Sequence, residues 1–456
     1  MCSLPTLLVA ALPTLLAAFS ARRAPFSARR APFSARRAPR QRALMSAALR
    51  GAPPSSRVVI LGGGLQGCAA AYYLKERGFD DVTVVERTAV AAAASGKGGG
   101  FLARGWGSGP TKALHERSFD LHEQLAGDLG LASYRKIKTM EVTGELGLRE
   151  WPPVAKATEK PKNVGAPKWL DDEDTGARLM DPNTAQVVPR ELCEKLFERS
   201  GATLVVGAAR GLETADAGGD ARVTGVSVED GAGATTTVPC DVLVCAMGVW
   251  SVLLEDWLGA ATGLKVPLEG VYSSSVVFAG DDAVRAEPVA LFCAEDSNSC
   301  HLEVYPRVDG SVYMCGIGGS DYVRGDRLRE GGDLQDATKM KANPDRVAAA
   351  VASFSGLAPF ARGKDPELTQ ACMRPCAPDA LPLLGVVPGT SNVVLAAGHN
   401  CWGILWAPIT GKLVAELVAD GAVSSAPIDA FAPGRFMARK AKRGRAQGEL
   451  RVGEQW

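Results

Sequence analysis

The chain has 456 residues, of which 46% are hydrophobic and 22% charged, and its formal net charge is +1. This length allows two domains, and the ordinary composition with near-zero charge indicates a globular protein that has no nucleic-acid partner. The 11 cysteines include no CxxC pair and are odd in number, which argues against a disulfide framework and favours a reducing compartment.

Residues 1–51 are predicted to be a disordered targeting presequence. An apolar run at 4–19 is too short and too proline-broken to span a bilayer, and the heptapeptide FSARRAP then occurs three times. Residues 1–50 hold nine arginines and no acidic residue, so the remainder of the chain is acidic. The two-part pattern resembles the plastid presequences of algae with secondary plastids, and a mitochondrial presequence is the alternative. Translation that begins at Met45 would remove the leader altogether.

Residues 57–87 have the pattern of a dinucleotide-binding unit. The apolar run Val58–Leu61 predicts a buried strand, a helix then extends to about Arg77, and a second strand covers Val82–Val85. Between the first strand and the helix stand three glycines in GxGxxG spacing, Gly62, Gly64 and Gly67. In order, they allow a tight turn, close approach of the backbone to a pyrophosphate, and close packing of helix on strand. The phosphates would lie at the helix N-terminus, where free N–H groups favour anions.

Glu86 ends the second strand, about 20 residues beyond the glycine motif, where an acidic residue accepts hydrogen bonds from a ribose hydroxyl. A carboxylate at this position argues against NADP, because it would repel the 2′-phosphate. The position by itself leaves NAD and FAD both open. An unrelated α/β protein with a glycine-rich turn is the alternative for the whole unit.

Four further segments carry longer patterns. They are AAAASGKGGGFLARGW from Ala91, DVLVCAMGVWS from Asp241, CMRPCAPDALPLLG from Cys372 and VVLAAGHNCWGILWAPITGKLVAELV from Val393. Together they resemble the FAD-dependent oxidoreductase family of glycine oxidase, sarcosine oxidase and D-amino-acid oxidase, in order over about residues 56–435. The resemblance implies FAD as cofactor and oxidation of the C–N bond of an amino acid or secondary amine by hydride transfer to the flavin.

The resemblance also implies where these segments meet the cofactor. The first would surround the pyrophosphate and flavin with backbone amides, the second would pass beneath the cofactor, and the fourth would face the pyrimidine edge of the flavin. The cofactor-binding residues predicted on this basis are Ser95, Gly96, Lys97, Gly99, Gly100, Gly248, Cys372, Gly398, His399, Asn400, Cys401, Trp402, Gly403 and Ile404.

Arg374 matches the position at which glycine oxidase-like enzymes bind the substrate carboxylate, and it is the predicted catalytic residue. A guanidinium offers two parallel donors to a carboxylate; a structural pair with Asp379 is the alternative. Cys372 falls where sarcosine oxidase-like members attach the flavin by a thioether, although a free buried cysteine is also common. Cys401 departs from the pattern, because glycine oxidase-like members place a substrate-binding arginine there.

Other candidate residues are weaker. His115 and His122 are spaced for one face of a helix, but no third ligand accompanies them, and no metal site is predicted. Arg307 flanks a predicted hairpin turn and either points into the substrate cavity or is simply a turn charge. The basic tail, residues 435–456, is expected to be solvated, and docking of the tail to a membrane is the less favoured interpretation.

The expected fold is α/β: a Rossmann-like FAD-binding domain with a parallel sheet, and a smaller antiparallel-sheet substrate domain. The first domain is predicted from 52–136, 183–264 and 366–434, and the second from 137–182 and 265–365. The leading function is an FAD enzyme acting on a small amine or amino acid. An FAD-containing assembly or trafficking factor is the alternative, and an NAD-dependent dehydrogenase is disfavoured because an NAD fold has no use for the fourth segment. The oligomeric state is left open.

Overall fold

The computed structural model describes residues 49–144, 165–171 and 175–437, all within one compact unit. The predicted leader therefore lies outside the described residues except for its last three, and the basic tail lies outside them beyond residue 437. Leu49 is buried, and the N–H of Ala52 donates to the carbonyl of Val418 at 2.8 Å. The end of the segment assigned to the leader thus packs against the folded protein.

The strands are, in chain order, β1 (Val58–Leu61), β2 (Val82–Glu86), β3 (Phe101–Ala103), β4 (Arg135–Gly144), β5 (Thr175–Gln186), β6 (Thr203–Val206), β7 (Ala208–Ala217), β8 (Asp220–Glu229), β9 (Thr235–Pro239), β10 (Val242–Cys245), β11 (Glu269–Phe278), β12 (Val289–Cys293), β13 (Glu303–Pro306), β14 (Val312–Cys315), β15 (Asp321–Val323), β16 (Leu368–Cys376), β17 (Leu383–Val386) and β18 (Val393–Ala397). The α-helices are α1 (Leu65–Glu76), α2 (Ala94–Lys97), α3 (Lys112–Asp128), α4 (Pro189–Ser200), α5 (Leu253–Thr262), α6 (Asp282–Ala286), α7 (Gly325–Leu328), α8 (Pro344–Leu357) and α9 (Ala407–Asp420).

A six-stranded sheet forms the first layer, in the order β17-β18-β10-β1-β2-β6. Every neighbouring pair is parallel except β17 with β18. Strands β1 and β10 are fully buried apolar runs, as expected for parallel strands that are covered on both faces. Helix α1 packs closely on α9, because a Cβ on Gly411 would lie 2.4 Å from the backbone of Ala69. The predicted Rossmann-like parallel sheet is confirmed.

A nine-stranded sheet forms the second layer, in the order β15-β11-β14-β13-β12-β4-β5-β3, with β16 pairing with β11. All pairs are antiparallel except β4 with β12. The strands predicted at 270–277, 301–305 and 311–317 correspond to β11, β13 and β14. Strands β3 and β16 lie in segments that were assigned to the FAD-binding domain, yet both hydrogen-bond into this second sheet.

A three-stranded antiparallel sheet, β7-β8-β9, is joined to the first layer by backbone hydrogen bonds and by a buried amide. The side chain of Asn392 accepts from the N–H of Val223 at 2.9 Å and donates to the carbonyls of Val223 and Asp241 at 2.7 and 2.8 Å. Across the described ranges, no helix combines the length and apolar character that crossing a membrane requires.

Candidate functional site

A cavity of about 690 Å³ lies at the carboxyl ends of β1, β2 and β10 and over one face of the nine-stranded sheet. The predicted residues that line it are Gly62, Gly64, Glu86, Ser95, Gly99, Gly100, Gly248, Cys372, Arg374, His399, Asn400, Cys401, Trp402, Gly403 and Ile404. Four other predicted residues are not among those that line it: Gly67, Gly96, Lys97 and Gly398.

The glycine turn at the start of α1 has the geometry that a pyrophosphate site requires. Gly62 has φ +104°, and a Cβ there would lie 2.5 Å from the carbonyl oxygen of Ala246. A Cβ on Gly67 would lie 2.0 Å from the oxygen of Gly62, so its role is helix–strand packing. Gly64 is different, because its Cβ would meet only the side chain of Ser95, at 3.0 Å. The backbone at Gly64 is therefore open to the cavity.

Polar side chains fix this turn and leave capacity for a ligand. Glu86 accepts from the N–H of Gly63 at 2.8 Å and from the N–H of Thr88 at 3.0 Å, one on each carboxylate oxygen. The hydroxyl of Ser95 accepts from the N–H of Leu65 at 2.9 Å, at the N-terminus of α1. The helix N-terminus and its N–H groups favour a phosphate here. Oε1 of Glu86 also accepts from the Thr88 hydroxyl at 3.3 Å, whereas Oε2 accepts from Gly63 alone and keeps a lone pair for a ligand hydroxyl.

Residues 96–100 connect the six-stranded sheet with the nine-stranded sheet. Lys97 donates through Nζ to the carbonyl of Ala371 at 3.1 Å, and its own carbonyl accepts from Gln370 at 2.8 Å. Burial lowers the pKa of the Lys97 ammonium. Gly96 is required by the turn itself, because its Cβ would lie 2.0 Å from a backbone oxygen. The structure thus places Lys97 and Gly96 behind the cavity wall.

The turn after β18, residues 399–404, lies next to the start of α1 and forms another wall of the cavity; we call it the closing turn. Asn400 has φ +49°, a conformation rarely adopted by residues other than glycine. The amide of Gln66, in α1, donates to the carbonyl of Gly403 at 2.7 Å, and this hydrogen bond connects the two turns. His399 is buried and lies 3.1 Å from the hydroxyl of Thr410. These contacts hold the backbone of this turn in place along the cavity wall.

One face of the nine-stranded sheet forms the floor. Alternate residues of a strand share a face, and each of four strands has two such residues that line the cavity. On β11 and β16 the intervening residues Ser274 and Met373 also line it. These pairs are Ser273 and Ser275 on β11, Glu303 and Tyr305 on β13, Tyr313 and Cys315 on β14, and Cys372 and Arg374 on β16. We call this set the cavity floor.

Arg374 thus lies on the cavity floor. The proposed alternative partner, Asp379, is engaged elsewhere: its carboxylate binds the guanidinium of Arg435 at 2.8 and 3.0 Å. Arg307, at the other end of β13, is not among the lining residues, and its guanidinium lies 5.7 Å from the centre of the Tyr313 ring. Of the two arginines considered from sequence, only Arg374 reaches the cavity.

Cys372 lines the cavity two residues before Arg374. Burial raises the pKa of its thiol, against the opposing effect of the neighbouring Arg374 and Lys97 cations. A neutral thiol is a poor nucleophile, so we expect the flavin to be released when the protein is denatured by acid or heat. Flavin colour that stays with the denatured chain, and is freed by Cys372→Ser, would instead establish the thioether.

Three buried histidines, His115, His122 and His399, lie within or next to the closing turn. His122 donates to the carbonyls of Ile404 and Leu405, both at 3.1 Å, and His115 accepts from the indole N–H of Trp406 at 3.1 Å. Burial lowers the pKa to about 4 for His115 and His122 and to about 3 for His399. No group of three or more metal-ligating side chains occurs within residues 49–144, 165–171 and 175–437.

These histidines predict a loss of stability in mild acid. Their folded-state pKa values lie below the unfolded value of about 6.5, so the unfolded chain takes up protons that the native chain does not. The contribution of the neutral histidines to the free energy of unfolding is fully present above about pH 7 and is lost as the pH drops towards 4. We expect a loss of about 2 kcal/mol per histidine between pH 7 and 5, measured by denaturant unfolding. His122→Gln retains a donor and should reduce this pH dependence; an unchanged slope would contradict the assignment.

Some lining residues were not identified from the sequence. Gly98 allows the closing turn to approach, because a Cβ there would lie 2.6 Å from Ile404. Gln66 and Glu303 also line the cavity. The alternation around residue 303 was recognised as a strand, but which face of that strand meets the cavity depends on pairing with distant strands.

Comparison with known proteins agrees with this architecture. Residues 57–417 match the family DAO, described as FAD dependent oxidoreductase. The chain is 24% identical over 408 residues to a Schizosaccharomyces pombe protein named only as an oxidoreductase, covering 83% of this chain and 98% of that relative. It is 24% identical over 406 residues to 4-methylaminobutanoate oxidase (formaldehyde-forming) of Paenarthrobacter nicotinovorans, covering 81% of this chain and 44% of that protein.

Solved structures show the same fold. The crystal structure of glycine oxidase from Geobacillus kaustophilus superimposes with a TM-score of 0.64 at 21% identity, covering 84% of this chain and 99% of that one. L-proline dehydrogenase from P. horikoshii gives a TM-score of 0.64 at 19% identity over 84% of this chain and 98% of the other.

The chain is therefore an FAD-dependent oxidoreductase. It belongs to the DAO family, and FAD is its cofactor. The residues present fit that group: the open backbone at Gly64 and the N-terminus of α1 suit the pyrophosphate, and Glu86 suits the ribose. The closing turn from His399 to Ile404 supplies the backbone that would face the flavin.

Proposed function

We propose that this protein oxidises the C–N bond of an amino acid or secondary amine, with FAD accepting the hydride when it is bound. The observation that carries the proposal is Arg374 on the cavity floor. A guanidinium in this position can bind a carboxylate through two charge-assisted hydrogen bonds and hold the adjacent carbon in one orientation. Relatives named for glycine, 4-methylaminobutanoate and L-proline support an amino-acid substrate.

The surroundings of Arg374 suit such a ligand. Aromatic rings of Phe101, Trp106 and Phe292 lie 5.2–5.3 Å apart and line the same cavity. Apolar walls exclude water and strengthen a charge-assisted pair. A carboxylate bound at Arg374 would thus be oriented by a small number of polar groups within a largely apolar wall.

An FAD-containing assembly or trafficking factor is the second candidate. Cys401 lines the cavity where the family resemblance implies a second substrate-binding arginine, so only one arginine of the pair is present. The absence of the second substrate-binding arginine is the feature that favours an assembly or trafficking factor.

Anaerobic reduction of the flavin separates the two candidates. Purified FAD-loaded protein would be mixed with a panel of amino acids, imino acids and secondary amines while absorbance near the flavin maximum is followed. Bleaching by a carboxylate-bearing amine is the expected result. A yellow protein that no member of a broad panel bleaches would overturn the enzymatic proposal and support the assembly factor.

We also propose that residues 1–50 direct the protein to the plastid, with the mitochondrion as the alternative. The support is the apolar run followed by the acid-free FSARRAP repeats. A fluorescent reporter fused to residues 1–50 distinguishes the two compartments. Because Leu49 is buried, the N-terminus of the mature protein, measured by mass spectrometry, is expected between about Ser20 and Leu49. A mature chain that begins at Met1 would contradict the proposal.

A further inference from the structure

Glu303 lies on the cavity floor with Arg374 and is an acidic group in a cavity assigned to a carboxylate-bearing ligand. It pairs in register with Cys315 across β13 and β14, and both residues line the cavity. Burial lowers the pKa of Arg374 and raises that of Cys401, and the Glu303 carboxylate is among the neighbouring groups that raise the pKa of both. The acid and the arginine therefore belong to one electrostatic environment.

The hydrogen bonds of Glu303 leave one oxygen available. The hydroxyl of Tyr305 and the thiol of Cys315 both donate to Oε2, the thiol at 3.3 Å. In the part of the chain that the structure describes, no donor is bonded to Oε1, and no lysine, arginine or histidine forms a salt bridge with this carboxylate. The two bonds to Oε2 hold the side chain, which lines the cavity, and leave Oε1 for a bound ligand.

A ligand group that binds beside this carboxylate is expected to carry a positive charge. Glu303 is half-buried, and neutral donors satisfy only part of its hydrogen-bonding capacity. A ligand bound beside it would displace water from the carboxylate, which is costly unless the ligand supplies an opposite charge. The aromatic walls made by Phe101, Trp106 and Phe292 add electron-rich ring faces, which also attract cations. The cavity floor therefore offers separate places for a negative and a positive group.

We propose that Glu303 binds the positively charged nitrogen of the substrate while Arg374 binds its carboxylate. The substrate class is then compounds that carry both charges, amino acids and their N-alkylated forms, in preference to simple amines and to dicarboxylates. This inference rests on the proposed function, because it assigns the two ends of the ligand on which that function acts. Glu303 acts in recognition: its charge selects which ligands enter the site.

A matched pair of ligands isolates the positive charge. Glycine betaine and 3,3-dimethylbutanoate have the same shape and the same carboxylate, but only the first carries a cationic nitrogen. Sarcosine and butanoate form a smaller pair of the same kind. Binding to oxidised, FAD-loaded protein would be measured by calorimetric titration under anaerobic conditions. At least one cationic ligand is expected to bind roughly 10- to 100-fold more tightly than its carbon isostere.

Two variants test whether Glu303 is the source of the preference for a cationic ligand. Glu303→Gln keeps an acceptor for Tyr305 and Cys315 but removes the charge, so the preference should disappear while affinity for the carbon isostere is kept. Glu295→Gln removes a charge from an exposed residue of the same cavity wall and should retain the preference. FAD content and thermal midpoint would be recorded for both variants. The comparison of ligands on the unmodified protein does not depend on either variant.

Absence of any preference in the unmodified protein, including failure of both cationic ligands to bind, overturns the assignment. So does a preference that survives in Glu303→Gln. The result is separable from the enzymatic proposal, because the titration does not require flavin reduction. A flavin that no amine bleaches, in a protein with the charge preference, contradicts the enzymatic proposal alone. A flavin that is bleached without any preference contradicts only the role of Glu303.

Discussion

Gly64→Trp is expected to give folded protein that holds no FAD. Gly64 has φ −85° and ψ 178°, which any residue can adopt, and its Cβ would contact only Ser95. An indole at this position would project from the turn into the space that the pyrophosphate requires. The fold should survive because the new side chain points away from the packed core, and the purified protein should be colourless.

The measurement is the ratio of FAD to protein, from the absorption spectrum and from flavin released by denaturation, together with circular dichroism. Gly127→Trp is the matched control. Gly127 is exposed near the end of α3, and its Cβ would meet nothing within 4 Å, so this variant should stay yellow. A Gly64→Trp protein with full FAD content would show that the cofactor does not pass over this turn.

Arg374→Ala is expected to lower kcat/KM for a carboxylate-bearing substrate by about 10- to 100-fold, since a charge-assisted pair contributes about 1.5–3 kcal/mol. Arg374→Lys should fall between this variant and the unmodified enzyme, because lysine keeps the charge but loses the paired donors. FAD content should be unchanged in both, because the glycine turn and the closing turn, which do not include Arg374, are the segments expected to hold the cofactor.

The control is Arg307→Ala, which removes an arginine from the same sheet at a position that does not line the cavity. Its effect on kcat/KM should be small. Undiminished activity of Arg374→Ala towards amino acids would refute substrate binding by Arg374. Loss of FAD together with unfolding would show that Arg374 acts in structure, although Asp379 already has Arg435 as its partner.

The sequence was sufficient for the parts of the site that depend on neighbouring residues. The turn from Gly62 to Gly67 and the acid at Glu86 lie within one strand–helix–strand unit, so spacing alone determines their geometry. The observed bounds of β1 and β2 agree with the predicted strands within one residue. The family resemblance added the closing turn after β18, whose pattern is also contained in a single segment.

Features that depend on distant pairing were beyond the sequence. β16 lies within residues 366–434, which were assigned to the FAD-binding domain, but its pairing with β11 places Cys372 and Arg374 on the cavity floor. Glu303 was missed for the same reason: a strand pattern does not reveal which neighbour it pairs with. Conversely, Lys97 was identified by its place in a motif, whereas its side chain reaches a carbonyl of β16 instead of the cavity.

The strand order of the first layer has a consequence for how the protein is made. β18, near the end of the chain, lies directly beside β10, which lies beside β1 at the beginning. The closing turn that follows β18 also supplies one wall of the FAD site. The ribosome must therefore have synthesised the chain through the turn after β18 before the complete FAD site can form. A product truncated before β18 is expected to be apoprotein.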